Sequence, residues 1–233
     1  MKYAVLSDIH GNLSALESVI RDLDELNIKG VILLGDLINY GMRSNEVVEK
    51  IAELEQKYKI SAKIFGNHEK AIMTQDYSRF SSPRGAQSAE TTKQRLNKKT
   101  IEYINSLDAQ GYAEFELDKL KCLAIHGSLD DPFWTSIEQN NLNGDYSKYD
   151  IVFSGHSHFP HYFTKNGKTY FLNPGSAGQP RNSNPSAQYA VFDSRTQEAE
   201  LRAVSYDIEL EQSYFEENCG IDNFYRDRLK KGL

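Results

Sequence analysis

Five short apolar runs in this chain each stop at a carboxylate, an amide or an imidazole, and that pattern restricts the fold more than any other feature of the sequence. Val5-Leu6-Ser7 leads to Asp8-Ile9-His10, Ile32-Leu33-Leu34 to Gly35-Asp36, and Ile64-Phe65 to Gly66-Asn67-His68-Glu69. Further on, Leu123-Ala124-Ile125 leads to His126-Gly127, and Ile151-Val152-Phe153-Ser154 to Gly155-His156-Ser157-His158. Runs of this length, bounded by glycine, read as buried strands. Open α/β sheets gather ligands at the carboxyl ends of their strands, so five such ends can meet although about 150 residues separate the first from the last. Of the six histidines, His10, His68, His126, His156 and His158 sit at these ends and only His161 does not. Histidines scattered over a surface would not sort in this way.

The first seventy residues alternate apolar runs with amphipathic stretches, the rhythm of βαβ units and a largely parallel sheet. Leu13, Leu16, Val19, Ile20, Leu23 and Leu26 recur at helical spacing behind a capping Asn12. A second helix, capped by Ser44, carries Val47, Val48, Ile51, Leu54 and Tyr58, and Ile60 to Phe65 forms the third strand. Residues 74–91 are poor in aliphatics and rich in Ser, Thr, Arg and Gln. They are expected to form a loop or lid running into a helix from Thr92 to Leu107, so that the lid region as a whole spans 74–110. Beyond it the chain turns to hairpins, with Asp118-Lys119 joining Tyr112–Leu117 to Lys121–Ile125 and Asn166-Gly167 joining Tyr162–Lys165 to Tyr170–Leu172. Strands at Ile151–Ser154, Gln188–Asp193 and Glu198–Tyr206 precede a helical tail from Asp207. No repeat or linker divides the 233 residues, which are expected to form one domain.

Composition removes several function classes. Lys and Arg total 27 against 33 Asp and Glu, a net charge of −6, which is the opposite of an extended nucleic-acid surface. No apolar run is long enough to span a membrane, and an apolar start broken by Asp8 is not built like a signal peptide, so a cytoplasmic setting is expected. Cys122 and Cys219, the two cysteines, suit neither a disulfide framework nor a thiolate metal site and are expected to be reduced and structural.

Asp8-x-His10 puts two side chains on one face of an extended segment, and His156-x-His158 repeats the device. With Asp36, Asn67 and His126 the donors number seven, all oxygen or nitrogen. Seven ligands exceed the needs of one transition metal but suit two divalent ions that share a carboxylate. Donors of this kind fit manganese, iron, zinc, cobalt or nickel.

Taken in order, D-x-H, G-D, G-N-H-E, H-G and G-H-x-H resemble the calcineurin-like metallophosphoesterase superfamily, and within it the small bacterial and archaeal phosphodiesterase-like branch. The motifs run from Asp8 to His158, and Asn173-Pro174-Gly175-Ser176-Ala177-Gly178-Gln179-Pro180-Arg181 resembles a segment of the same small members. The resemblance implies a four-layer α/β/β/α sandwich of two mixed sheets flanked by helices. It implies Asp8, His10, Asp36 and His158 as ligands of one ion and Asp36, Asn67, His126 and His156 as ligands of the other, with manganese or iron the favoured metals. It further implies His68 as the group facing the leaving oxygen, and hydrolysis of a phosphodiester or nucleotide pyrophosphate by in-line attack of a hydroxide held between the ions. Within the same resemblance stand a diadenosine polyphosphate hydrolase, a protein or small-molecule phosphomonoesterase, and a binding scaffold without chemistry. The partner expected is a small phosphate ester or nucleotide.

One departure matters. In the Ser/Thr phosphatases of the superfamily an Arg-Gly follows the G-D motif and grips phosphate, whereas Gly35-Asp36-Leu37-Ile38-Asn39-Tyr40-Gly41 places Tyr40 there. A phenol cannot replace a bidentate cation, which turns the expectation away from phosphoproteins and towards diesters. Asn39, Tyr40, Arg43, Arg84, His161 and Arg181 are the expected substrate contacts.

Overall fold

The computed structural model describes residues 1–215 and 220–233. Two five-stranded mixed sheets lie face to face. The first runs β10-β9-β1-β2-β3, formed by β1 (Lys2–Leu6), β2 (Ile28–Leu33), β3 (Lys59–Lys63), β9 (Ala187–Asp193) and β10 (Glu198–Val204). The second runs β4-β5-β6-β8-β7, formed by β4 (Tyr112–Leu117), β5 (Leu120–Ile125), β6 (Ile151–Ser154), β7 (Pro160–Lys165) and β8 (Lys168–Pro174). In each, three adjacent strands are parallel, β1-β2-β3 and β5-β6-β8, and the remaining strands add antiparallel at the edges.

The continuous apolar runs follow from this layering, because the central strands are covered on both faces. Ala4, Leu6, Val31 and Leu33 point outward into a core with Leu16, Val19 and Leu23 of α1 (Leu13–Asp24) and Val47, Ile51 and Leu54 of α2 (Ser44–Lys57). Their neighbours Tyr3, Val5 and Ile32 point the other way, against Ala124, Ile151, Phe153 and Leu172 of the second sheet. Two mixed sheets flanked by helices are thus observed as expected. The outer face of the second sheet, with Leu123, Ile125, Val152 and Phe171, is covered by Ile137 and by Leu129, Leu142 and Tyr146 of the turn-rich connection after β5.

Three local expectations are corrected. Asn12 caps α1 by accepting the Ala15 N–H at 3.0 Å, but Ser44 is the first residue of α2 rather than its cap, and its hydroxyl instead accepts the Asn39 N–H at 3.1 Å. Much of the segment expected as a loop is helix. After the short α3 (Asn67–Thr74), α4 spans Pro83–Arg95, with Ser82 as N-cap and Pro83 in the first turn. Its buried face is Gly85, Ser88, Ala89 and Thr92, side chains too small or polar to register as an apolar stripe. The helix expected from Thr92 to Leu107 is interrupted at Leu96, and Asn97 caps a new one, α5 (Lys98–Ile104), by accepting the Thr100 N–H at 2.9 Å.

The tail contains α6 (Ile208–Ser213), capped by Asp207, and α7 (Asn223–Leu229). The part of the expected helical tail at 216–219, and Cys219 with it, lies outside the described residues. Cys122 is a buried free thiol in the core between the sheets, pushed up to about 12 by burial, which suits packing rather than nucleophilic chemistry. Among the described residues no helix is long and apolar enough to cross a membrane.

Candidate metal centre

The carboxyl ends of β1, β2 and β3 in one sheet and of β5 and β6 in the other open on the same end of the sandwich, and the seven donors meet there. Asp8 Oδ1 lies 3.2 Å from His158 Nε2 and 3.7 Å from His10 Nε2. Asp36 Oδ2 lies 3.7 Å from His10 Nε2 and 3.4 Å from His126 Nε2, while Asn67 Oδ1 is 3.0 Å from both His126 Nε2 and His156 Nδ1. Asp36 therefore stands between two groups of donors, one with Asp8, His10 and His158 and the other with Asn67, His126 and His156. Residues as far apart in sequence as Asp8 and His158 are neighbours because parallel strands deliver their ends to one crevice.

The backbone is bent to achieve this. Asp8, His10, Asp36, Asn39, Tyr40, His156 and His158 all have positive φ, between 50° and 74°. Left-handed backbone at residues other than glycine is costly and gathers where a site imposes it. The turns after β2 and β3 pass so close that a Cβ on Gly66 would sit 2.0 Å from Asp36 Oδ1, and one on Gly35 2.1 Å from the Gly66 nitrogen. Glycine is required at both positions.

Hydrogen bonds behind the donors decide which ring nitrogen each histidine presents. Nδ1 of His126 faces the Leu34 carbonyl at 2.7 Å, Nδ1 of His158 faces the Gln179 carbonyl at 2.6 Å, and Nδ1 of His10 faces the Ile38 carbonyl at 3.3 Å. A carbonyl can only accept, so we assign the proton to Nδ1 in each neutral ring, which turns the Nε2 lone pair inward. Two such lone pairs, on His10 and His158, then confront one another at 3.2 Å, and the His126 lone pair confronts the Asn67 carbonyl oxygen. Acceptor against acceptor is repulsive unless a cation or a proton lies between. Asp8 Oδ1, fully buried and without a hydrogen-bond partner, states the same demand. The donor set thus fits divalent cations, and the triads Asp8-His10-His158 and Asp8-Asp36-His126 each bring their ligand atoms within 4.8 Å.

The titration of these groups follows from burial and from one another. Against burial, which raises it, the His68 and His126 rings hold the Asp36 carboxyl far below its ordinary value, and His158 does so for Asp8. Burial lowers His156 and His158 to about 4. His126 goes the other way: burial pulls it down, but the Asp36 and Asp8 carboxylates outweigh that and raise it to about 9.

His68 differs from the ligands. Asn39 Oδ1 accepts from the hydroxyls of Ser88 at 2.7 Å and Thr92 at 3.1 Å, which orients the amide so that its Nδ2 donates to His68 Nδ1 at 2.6 Å. The ring proton is thereby placed on Nε2, 3.7 Å from Asp36 Oδ2, and burial keeps the ring neutral. His68 is built to donate through Nε2 without carrying a charge.

Of the expected substrate contacts, Arg181 and Tyr40 line a cavity of about 370 Å³ over the metal-type donors. Arg181 Nε is buried without a partner. The Tyr40 ring is stacked on Tyr225 of α7 at 4.1 Å and edge-on to His68 at 4.5 Å. The structure does not bring the others to the cavity. Asn39 is buried behind His68, and Arg43 is buried in an ion pair with Glu211 of α6 and donates to Ser14 at 2.6 Å. Arg84 lies over Phe224, and His161 stacks on Phe171 of the second sheet.

Two further contributions are given no role by the sequence, although Glu69 closes the G-N-H-E motif. Glu69 accepts backbone N–H bonds from Gly66, Asp36, Leu37 and Ile38 at 2.7–3.2 Å, clamping the turn that presents Asp36; burial and the nearby Asp36 charge raise it to about 7 against those donors. Its signal is its place in the first turn of α3, where an acidic side chain reaches back to the residue before the helix. Phe80 and Trp134 form one wall of the cavity with Arg79, and no sequence pattern singles them out from neighbouring aromatics such as Tyr77 and Phe133.

The chain is similar in sequence and fold to several known proteins. The protein MJ0912 of Methanocaldococcus jannaschii is 30% identical over 220 residues, 88% of each chain. Phosphodiesterase YfcE of Escherichia coli is 26% identical over 193 residues, 83% of this chain and 88% of that one. The crystal structure of a metallophosphoesterase from Sphaerobacter thermophilus superposes with a TM-score of 0.77 at 28% identity, with all of both chains covered. The family model of the calcineurin-like phosphoesterase superfamily domain matches residues 1–197, and the chain belongs to that superfamily.

Proposed function

We propose that the chain is a metal-dependent hydrolase of phosphodiester or nucleotide pyrophosphate bonds. The observation that carries the proposal is the meeting of seven oxygen and nitrogen donors, six buried and His156 half-buried, in two groups that share Asp36. Asp8, His10, Asp36 and His158 would hold one ion, and Asp36, Asn67, His126 and His156 the other. Manganese or iron suits a set without sulfur. A pair of divalent ions, when bound, supplies Lewis acidity to the phosphoryl group and an activated water at neutral pH.

The chain's own residues do the rest. Arg181, with a buried and unpartnered Nε in the cavity wall, is available to the phosphoryl oxygens. Neutral His68 offers its Nε2–H to the departing oxygen, held in that tautomer by Asn39. Tyr40 keeps its proton, because burial raises its phenol, and it adds no second cation. Of the two arginines that line the cavity, Arg79 is engaged by Asp131, and a single uncommitted guanidinium favours a diester, with one charge at phosphorus, over a dianionic monoester. The Escherichia coli relative YfcE is a phosphodiesterase by name, which supports the same choice.

Hydrolysis of bis(p-nitrophenyl) phosphate by purified protein is expected only with added manganese or a similar ion. Asp36→Asn and His126→Ala should each lower kcat by about a hundredfold or more while the protein remains folded by circular dichroism. Equal turnover in excess chelator would overturn the proposal.

A further inference from the structure

We infer that Trp134 and Phe80 form a subsite for a planar ring on the leaving group, so that the substrates are phosphoesters of nucleosides or aryl alcohols rather than of plain sugars or polyols. The inference rests on the catalytic role proposed above. Phe80 stands edge to face with His68, ring centres 5.0 Å apart, and Trp134 stands edge to face with Phe80 at 5.4 Å and 88°. Trp134 is also 6.4 Å from the His156 ring. A group leaving towards His68 Nε2 must therefore travel along these two rings.

That wall is unsuited to a hydrated polyol. Asp131, the carboxylate beside it, is engaged by Arg79 at 2.6 Å, and the Arg79 guanidinium lies 5.3 Å over the Trp134 ring. Hydroxyls pressed flat against the two rings would lose water there, with partners only at the rim, on Arg79 and Ser81. A planar ring gains offset or edge-to-face contact there, and the exposed, planar Arg79 can stack on its face or donate to polar atoms on its rim. Neither Trp134 nor Phe80 is a ligand-type donor, so their position is not explained by the metal centre.

Trp134 is the sole tryptophan, so tryptophan emission reports on this end of the cavity, with ribose 5-phosphate as the control for phosphate binding at the metal centre. Manganese-supplied full-length protein is titrated with AMP, phenyl phosphate and ribose 5-phosphate, with fluorescence and calorimetry in parallel. AMP and phenyl phosphate should quench Trp134 saturably and bind about tenfold more tightly than ribose 5-phosphate. Quenching and tight binding by AMP alone would also support the subsite and narrow it to a nucleobase. By calorimetry Trp134→Leu should bring the three ligands within about twofold of one another, while Trp134→Tyr keeps the preference because a ring remains. Should Trp134→Leu fail to fold, Phe80→Leu provides the same comparison. Equal affinity for AMP and ribose 5-phosphate, or a preference that survives Trp134→Leu, overturns the inference. Ring-dependent binding without diester hydrolysis would remove the catalytic role and leave the subsite standing, whereas metal-dependent hydrolysis without ring preference would do the reverse.

Discussion

The two kinds of histidine at this site are chemically distinct for reasons that lie one residue further out. The ligand-type rings of His10, His126 and His158 donate hydrogen bonds from Nδ1–H to backbone carbonyls, whereas His68 accepts one at Nδ1 from the Asn39 amide. Asn39→Leu should therefore leave the metal donors in place but release the His68 tautomer. We expect kcat to fall about tenfold to a hundredfold, with metal content by atomic absorption and KM for a diester little changed. A fall in metal content to match the fall in rate would assign Asn39 to the metal centre instead. The convergence of these side chains is legible in the sequence, since each follows closely on an apolar run and parallel strands deliver such ends to one crevice. The tautomer of His68 is not legible, because it depends on Ser88 and Thr92, hydroxyls on a helix that no periodicity marks.

Elements repeat the contrast. Hairpin turns at Asp118-Lys119, with φ of 49° and 78°, and Asn166-Gly167, with φ of 53° and 75°, follow from local turn chemistry and are where the sequence puts them. The helix α4 escapes because its inward face is made of small side chains, although Ser82-Pro83 is a usable start signal. Arg43 shows how an element can claim a residue that its position offers to the substrate. Its guanidinium pairs with Glu211, a fully buried carboxylate that also accepts the Ser14 N–H at 3.1 Å, and lies 4.1 Å over the Tyr214 ring. The pair ties α6 to the first turn of α1. Arg43→Ala strands the Glu211 charge, and we expect a loss of about 3–5 kcal/mol by urea unfolding, with kcat/KM of the folded fraction within about twofold of the parent. A large rise in KM at unchanged stability would return Arg43 to the substrate.

At the scale of the whole molecule, an acidic chain holds Asp8 and Asp36 buried at one end of a sandwich whose two sheets each contribute ligands. Pairing of β1 with β9, nearly the full length of the chain away, closes the first sheet, and no local pattern announces it. Once the sheets are closed, the carboxylates need positive charge. Without metal, the chain supplies it as a proton: burial disfavours a charged His126, yet Asp36 and Asp8 hold it charged up to about 9. A ligand imidazole must be neutral, so metal entering at pH 7.5 has to expel that proton, while His156 and His158, lowered to about 4 by burial, are already neutral and release none. The sign of the pH dependence follows. Between about pH 4 and 9 metal affinity should rise about tenfold per pH unit, flatten above 9 where His126 is neutral unaided, and fall more steeply below 4 where His156 and His158 also bind protons. Calorimetric titration of manganese into chelator-treated protein in two buffers of different ionisation enthalpy measures the release directly, and about one proton per site pair is expected at pH 7.5. His126→Gln should abolish that release even if the variant still binds one ion at the Asp8 side. Release of no proton by the parent protein would mean that the buried carboxylates are neutralised by another group.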